Sequence, residues 1–525
     1  MTVSARLSVA RWGLWTVACL PAAAAGAERK SVDATGFIDL RRGDCGIQRA
    51  IDSVGDGGGV VVLPKGRFPL RRYLYLRSGV TLRGHRRRTV LTLGPPEQRR
   101  AVSAAVEKGS RRIAVEGGLD GLKGGMIVHV WRCGARTHGA HLRALDVSAV
   151  EGRTIVLKTP CPYPLRPADR PHVSWGKTTR LKAHAAKGAR TIRVQHPDIL
   201  PPGSALKLKG KGDLWDYHFN VVAASAGEVL TLDRPLTVDG KAGTLVYQAH
   251  CAITADGEKG IGVADLRIEG WADDRRPPWG GFRLAAIHTV RCRGITIRGV
   301  DIERWPGDGV SIQAGSRAVV ADSSAARCRG HGFHPGTGFR GAEFTALRSV
   351  QNTGDGLYYC WHNVGVNVRG CVLRANAGHG IGGLGNPGDR DNVVEGNTIE
   401  SNGLAGVEVN GGKVSRNVIR GNTIRNNSAS SPGRWPGVLL RAAVEDARAV
   451  TVEANVIEST LAEPTQWVGV WEQCGSYRGK PTVADQNTIR HNTFRGHRKA
   501  DVIVVGPRTT VECPGAKVIR QPAAD

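Results

Sequence analysis

The sequence predicts an all-β protein built as a parallel β-solenoid, with an N-terminal helix and an inserted, duplicated small β module. Three observations carry this expectation. Glycine turns recur through the second half of the chain at steps of 23, 24, 24 and 26 residues. Each turn is followed by a short strand with alternating apolar positions. Asparagine returns at one fixed place in the period. A period in the low twenties with short strands means coils that cannot bury an apolar face alone and must stack.

The chain opens MTVSARLSVARWGLWTVACLPAAAAGAERK. Arg6 and Arg11 precede a short apolar run, and Ala25, Gly26 and Ala27 form a small-residue cleavage site. Residues 1–27 therefore read as an export signal, too short to span a bilayer. The mature protein is expected to be secreted or held in the periplasm or cell envelope, with no transmembrane segment. Eleven cysteines are present, and Cys19 falls in the signal. The ten that remain allow disulfides in an exported protein. No CxxC spacing occurs, which argues against the usual zinc sites.

Residues 28–98 hold the cap and the first coils. In DCGIQRAIDSV, Asp44 can cap a helix, and Ile47, Ala50, Ile51 and Val54 share one helical face. GGGVVVLPKGRFPL and LYLRSGVTLRGH then read as strands and turns. Residues 99–250 are a different unit. KGSRRIAV is echoed by KGARTIRV, and EGRTIVLKTPCPYP by AGEVLTLDRPLTV, about 75–80 residues apart. This is the duplicated module, expected to pack beside the solenoid and wall a groove, or to serve only as structure. The main repeats occupy 251–515, and 516–525 is a tail.

The main repeats align on GDGVSIQ, GHGFHPG, GDGLYYC, GHGIGGL and LAGVEVN, continuing through PGVLLRA and VGVWEQC. Residues one coil apart lie about 4.8 Å apart in such a stack. Columns in the alignment are therefore columns in space. Val310 and Ile312, Phe333 and Pro335, Leu357 and Tyr359, Ile381, and Val407 and Val409 point inward. Ser311, His334, Tyr358, Gly382 and Glu408 point outward. Beside them run Gln313, Gly336, Cys360, Leu384 and Asn410. A turn column alternates Asp308, His331, Asp355, His379. Asn397, Asn422, Asn455 and Asn492 stack elsewhere, as a hydrogen-bonded ladder with no function.

Carboxylates, imidazoles, a phenol and indoles thus converge within a few coils, which marks a candidate active site. The catalytic candidates are Asp308, His331, His334, Asp355, Tyr358 and His379, with His334 on the exposed face. The substrate-binding candidates are Trp305, Arg340, Trp361, His362 and Glu408. Indole faces suit the apolar face of a sugar ring. Gly-Asp-Gly and Gly-His-Gly are also ordinary turns, and stacked Asp and His would stabilise each other as ion pairs.

The run holding Asp44, Ile47, Ala50 and Ile51, then GGGVVVLPKGRF and SGVTLRG, resembles the opening of the pectate lyase superfamily, the right-handed parallel β-helices. That resemblance implies a right-handed solenoid whose end the short helix covers. Over residues 44–93 and 251–515 the chain is similar to secreted right-handed β-helix repeat proteins, which often resemble polysaccharide-degrading enzymes. GDGLYYC followed by GHGIGGLG is similar to a polygalacturonase pattern. It would make Asp355 the acid or base and His379 its neighbour. Gly356 stands where that pattern has a second Asp, and GVEVNGG replaces its Arg-x-Lys element.

An exported enzyme acting on polysaccharide is the expectation. A net charge of +27 makes an acidic polysaccharide a fitting partner, with nucleic acid not expected. Hydrolysis would use Asp308 and Asp355 as the carboxylate pair and needs no cofactor. A lyase would use His334 or Tyr358 as base on a uronate, with Arg340 or a bound Ca²⁺ neutralising the carboxylate. A non-catalytic, envelope-associated solenoid would hold glycan through its tryptophans and charge alone. The sequence does not fix the oligomeric state.

Overall fold

Apolar residues spaced one coil apart can only be buried if the coils lie in register, and the parallel pairing shows that they do. Ile287, Val310, Phe333, Leu357, Ile381, Val407 and Val438 face one another in sequence from coil to coil. Each is 0–1% exposed, and together they run through one continuous core. The protein is described here by a computed structural model covering residues 30–94, 98–131, 142–169, 171–209, 217–249, 251–271, 285–413 and 415–522. The export signal read over 1–27 lies outside the described residues, as does Cys133.

From Ile287 to Arg495 each coil gives one strand to a 12-stranded parallel sheet and two to a 22-stranded parallel sheet. Buried amide ladders hold the corners. Asn397, Asn422, Asn455 and Asn492 pass one side-chain hydrogen bond to the next, each 2.9 Å long. A second ladder runs Asn352, Asn376, Asn402, Asn427 and ends on Gln466. Each asparagine also donates to a buried backbone carbonyl, as Asn422 does to Val394. The corner backbone is therefore satisfied where water cannot reach it.

The helix Ile47–Ser53 closes the N-terminal end, burying Ile47, Ala50 and Ile51 against the first coils. Asp44 does not cap it. The N-cap is Gly46, whose φ of 77° lies in the left-handed region, and Asp44, two residues earlier, accepts the Gly46 N–H on its side chain. The fully buried Asp44 carboxyl would be raised by burial, but its hydrogen bond and ion pair with Arg72 hold it below the ordinary value.

Between the early and main coils the chain builds two six-stranded antiparallel sheets. Numbered from its own first strand, each sheet has the same order, 1-6-3-4-5-2. The second module seats Phe219 between Tyr73 and His288, at ring separations of 6.2 and 5.8 Å. Tyr73 also donates its hydroxyl to the Asn220 carbonyl. The module thus abuts the N-terminal end of the 12-stranded sheet. The nine described cysteines are all free thiols. Among the described residues, no helix is long and apolar enough to cross a membrane.

Asn422→Ala would strand the Val394 carbonyl and the amides of Asn397 in the interior. We predict a loss of roughly 3–9 kcal/mol, at about 1–3 kcal/mol for each of these three buried groups left unpaired. A urea titration of the variant against the parent checks this.

Candidate active site on the 12-stranded sheet

The outward column falls where the strand alternation puts it. His288 pairs in register with Ser311, Ser311 with His334, and Tyr358 with Gly382, one coil after the next. Glu408 follows, across an irregularity in the pairing of Ile381–Leu384 with Val407–Val409. Such irregularities re-aim side chains beside functional sites. Here the extra residue is Gly383, at φ 70°.

His334 was expected to be exposed, but it is only 1% accessible. Two aromatic rings cover it. Tyr358 stands edge-on at 5.1 Å, and His331 stands edge-on at 5.5 Å. His331 and Tyr358 stack face to face at 4.7 Å. Beneath this cover, His334 Nδ1 meets Asp308 Oδ2 at 2.7 Å. Burial opposes a charge on His334, but its bonds to Asp308 and Cys360 win and push its pKa up to about 9. Burial raises the Tyr358 phenol strongly, and the nearby Cys360 adds to that.

The alternating Asp–His turn column forms a chain, though not of the expected ion pairs. Asp308 Oδ1 accepts the backbone N–H of His331 at 2.8 Å. The Asp355 N–H donates to His331 Nδ1 at 2.9 Å, and the His379 N–H to Asp355 Oδ1 at 2.6 Å. His331 Nδ1 also lies 3.3 Å from Asp355 Oδ2. It already accepts the amide proton, so this close approach is not a charged hydrogen bond. Each link runs from backbone to side chain, one coil apart.

Asp355 and Glu408 approach each other from two coils. A Cβ added to Gly382 would lie 2.5 Å from Asp355 Oδ2, so the carboxylate fills the space the glycine leaves. Glu408 is anchored by Arg441 at 2.5 Å, with His379 Nε2 at 3.6 Å. Burial, then the charges of Glu408 and Asp308, raise Asp355 to about 6, against the opposing charge of His379. A polar chain continues from Arg441 through Asn410 and Asn386 to the Tyr358 hydroxyl.

Asp308 cannot be half of a carboxylate pair working on a substrate. It is 0% exposed, and both oxygens are engaged by His331 and His334. Trp305 is also 0% exposed and packs on Trp271 in the core, so it is no sugar platform. Arg340 is exposed on the strand Arg340–Thr345 of the other sheet, away from this column. Trp361 is 43% exposed, and His362 beside it is exposed and folds over Gly388. Both belong to the surface turn that follows Cys360.

Sequence reasoning passed over Trp435, Arg441 and Cys360. The half-buried Trp435 sets its ring 5.8 Å from His379, edge to face. Trp435 and Arg441 belong to the PGVLLRA coil, reached by a longer excursion that breaks the regular step. Cys360 did fall in the column beside Tyr358, and its signal was the His334 one coil earlier. Asp308, His331 and His334 also bring one donor atom each within 4.8 Å of the others. One carboxylate with two imidazoles suits zinc better than calcium, which takes six or more oxygens.

The fold is a right-handed parallel β-helix, and a family model described as a right handed beta helix region matches residues 285–457. The chain is also similar to several solved structures at low identity. The A-module of a mannuronan C-5 epimerase from Azotobacter vinelandii is 16% identical, covering 92% of this chain and 100% of that one, with a TM-score of 0.43. The catalytic domain of a GH87 alpha-1,3-glucanase in complex with nigerose is 8% identical, covering 96% and 70%, at 0.41. A surface adhesin of Streptococcus pneumoniae is 10% identical, covering 91% and 94%, at 0.41. No curated protein matches the sequence.

Two predictions follow from this geometry. Gly382→Ala should displace the Asp355 carboxylate, since its Cβ would overlap Oδ2 and Cγ. The variant should keep the parent's circular dichroism while its Asp355 titration moves away from about 6. The raised His334 pKa makes a second prediction, because the folded state holds that proton more tightly than the unfolded chain. Its contribution to stability is present in full below about 6.5 and is lost as pH rises through about 9. Urea midpoints measured across that window should fall, and His334→Gln should flatten the slope.

Proposed function

We propose that the chain is a polysaccharide-active enzyme that hydrolyses glycosidic bonds, with Asp355 and Glu408 as its two carboxylates. One observation carries the reading: two buried carboxylates flank the Gly382–Gly383 step in different surroundings, Asp355 filling the space over Gly382 and Glu408 accepting the Gly383 N–H. Burial and like charge keep Asp355 protonated to about pH 6. The Arg441 guanidinium holds Glu408 at 2.5 Å, whereas Asp355 has no such cation on it among the described residues. Paired carboxylates in unlike surroundings divide into an acid and a base or nucleophile.

Asp355 then donates its proton to the leaving glycosidic oxygen as the bond to the anomeric carbon breaks. Glu408 either removes a proton from the attacking water or attacks the anomeric carbon itself. His379, next to both, and the phenol of Tyr358 provide polar contacts to ring hydroxyls. Trp435 and the exposed Trp361 and His362 offer faces on which a sugar can lie. The excess of positive charge favours an acidic polymer, and we carry forward an exported location as part of the proposal. This chemistry calls for no cofactor.

A lyase reading would take its base from His331, His334 or Tyr358, whose rings pack together in this cluster. It is weakened by His334, whose pKa of about 9 leaves it protonated at neutral pH and so unfit as the base. Product analysis separates the readings, because elimination creates an ultraviolet-absorbing double bond and hydrolysis creates only reducing ends.

On a panel of acidic and neutral polysaccharides, we expect reducing ends without new absorbance. Asp355→Asn and Glu408→Gln should each lower turnover by about 10²–10⁴-fold. The parent's kcat/KM should fall as pH rises through about 6, because Asp355 must carry its proton to act. New absorbance that survives in both variants would reject the carboxylate pair.

A further inference from the structure

Beyond the carboxylate pair, the same face of the solenoid carries aromatic rings that the glycosidic reading leaves unused. Glu408 pairs in register with Leu439, Leu439 with Trp471, and Trp471 with Ile503. The flanking Val438, Leu440, Val470 and Val502 lie in the main core, so this row points outward. Trp471 therefore stands two coils past Glu408, roughly 10 Å along the axis. A second row runs along the corner beside it. The Lys499 N–H donates to the Trp467 carbonyl and the Trp467 N–H to the Trp435 carbonyl, each at 3.0 Å. Trp435, Trp467 and Lys499 thus hold one position in three successive coils. The first of them already meets His379, beside the carboxylates.

The two rows join at a pair of indoles. The rings of Trp467 and Trp471 lie 4.7 Å apart, edge to face. Both are half-buried and pack on a small apolar cluster of Val468, Ala500 and Ile503, separate from the main core. Lys499 Nζ lies 4.5 Å from the centre of the Trp467 ring. The negative face of the ring holds the ammonium in place without neutralising it. The neighbouring charges are engaged elsewhere. Arg498 has Glu463 at 3.7 Å, and Asp501 turns to His497 and to the Lys517 N–H. Among the described residues no carboxylate pairs with Lys499.

We propose, on the footing of the glycosidic reading, that Trp467, Trp471 and Lys499 form a remote binding subsite for a uronate residue of the polymer that Asp355 and Glu408 cut. A glycan lying along the axis, with its scissile bond at the carboxylate pair, passes over these indoles. Their exposed parts offer an apolar surface to the C–H face of a pyranose ring. Lys499 then meets the carboxylate of that ring, as an ammonium already positioned and still charged. A neutral sugar would use the indoles and leave Lys499 without a counterion, so the cation is what selects a uronate. No bond is made or broken here. The subsite supplies affinity and fixes the register of the chain over the reacting groups.

The test is affinity gel electrophoresis of the full chain in polygalacturonate, alginate and hyaluronate, each compared with the same polymer after carboxyl reduction. We expect retardation by at least one uronate polymer and much less by its reduced form. Lys499→Gln should erase that difference, and Lys499→Arg should restore it. Trp471→Ala should weaken binding about tenfold, while Trp471→Phe keeps most of it. Circular dichroism shows whether each variant is folded. If Trp471→Ala is not, Lys499→Gln, which leaves both indoles in place, decides alone. Release of reducing ends is followed on the same polymers, with Asp355→Asn alongside. Retardation that survives Asp355→Asn while release stops supports both readings. Retardation that depends on Lys499 with no release in the parent supports the subsite and sinks only the hydrolytic reading. No retardation by any of the polymers, equal retardation by charged and reduced forms, or binding unmoved by Lys499→Gln would overturn the proposal.

Discussion

The parallel hydrogen bonding between coils is the constraint on which everything else depends. It sets each residue about 4.8 Å from its counterpart one coil away. Whatever the sequence repeats at that spacing becomes a row in space. Repeated valine and isoleucine become a core, and repeated asparagine becomes a ladder whose amides satisfy one another. Repeated aspartate and histidine become a row of titratable groups too close to be independent.

That closeness gives the site its chemistry. Asp355 is raised because burial strips its solvent and because the charges of Glu408 and Asp308, each two coils away, reach it. His334 moves up despite its burial because Asp308 is fixed one coil below it. The glycines complete the arrangement by omission. Gly382 leaves room for a carboxylate, and Gly383 for the edge of the Tyr358 ring, 2.7 Å from where a Cβ would stand. Side chains at either position would close the space in which the reacting groups meet. A rigid stack also restricts motion, so these groups are preorganised before a ligand arrives.

Much of this was legible in the sequence. The period-two alternation and turn glycines identified the outward row Ser311, His334, Tyr358, Gly382 and Glu408, and register pairing reproduces it. The asparagine ladder could be read in the same way. What could not be read was coverage. An outward residue is exposed only if its neighbours are small, and His331 and Tyr358 fold over His334. Trp305 and Trp435 show the same limit: nothing in ERWPGDG or SPGRWPGV says which indole meets the core. Arg441 was hidden because the coil before it is lengthened, which removes the spacing that made the other columns visible. Hydrogen-bond direction was also out of reach, so the Asp–His column looked like ion pairs when its links run through backbone amides.

The account stands most directly on Asp355 titrating as a carboxyl perturbed by its neighbours across coils. Carbon-13 NMR of aspartate-labelled protein would follow it, with Asp355→Asn supplying the assignment and Glu408→Gln the perturbation. The account predicts one aspartate titrating near 6 that disappears in Asp355→Asn. It should shift downward, while remaining above the ordinary aspartate range, in Glu408→Gln. No aspartate titrating above the ordinary range, or one indifferent to Glu408→Gln, would contradict the claim that stacked coils couple these two carboxylates.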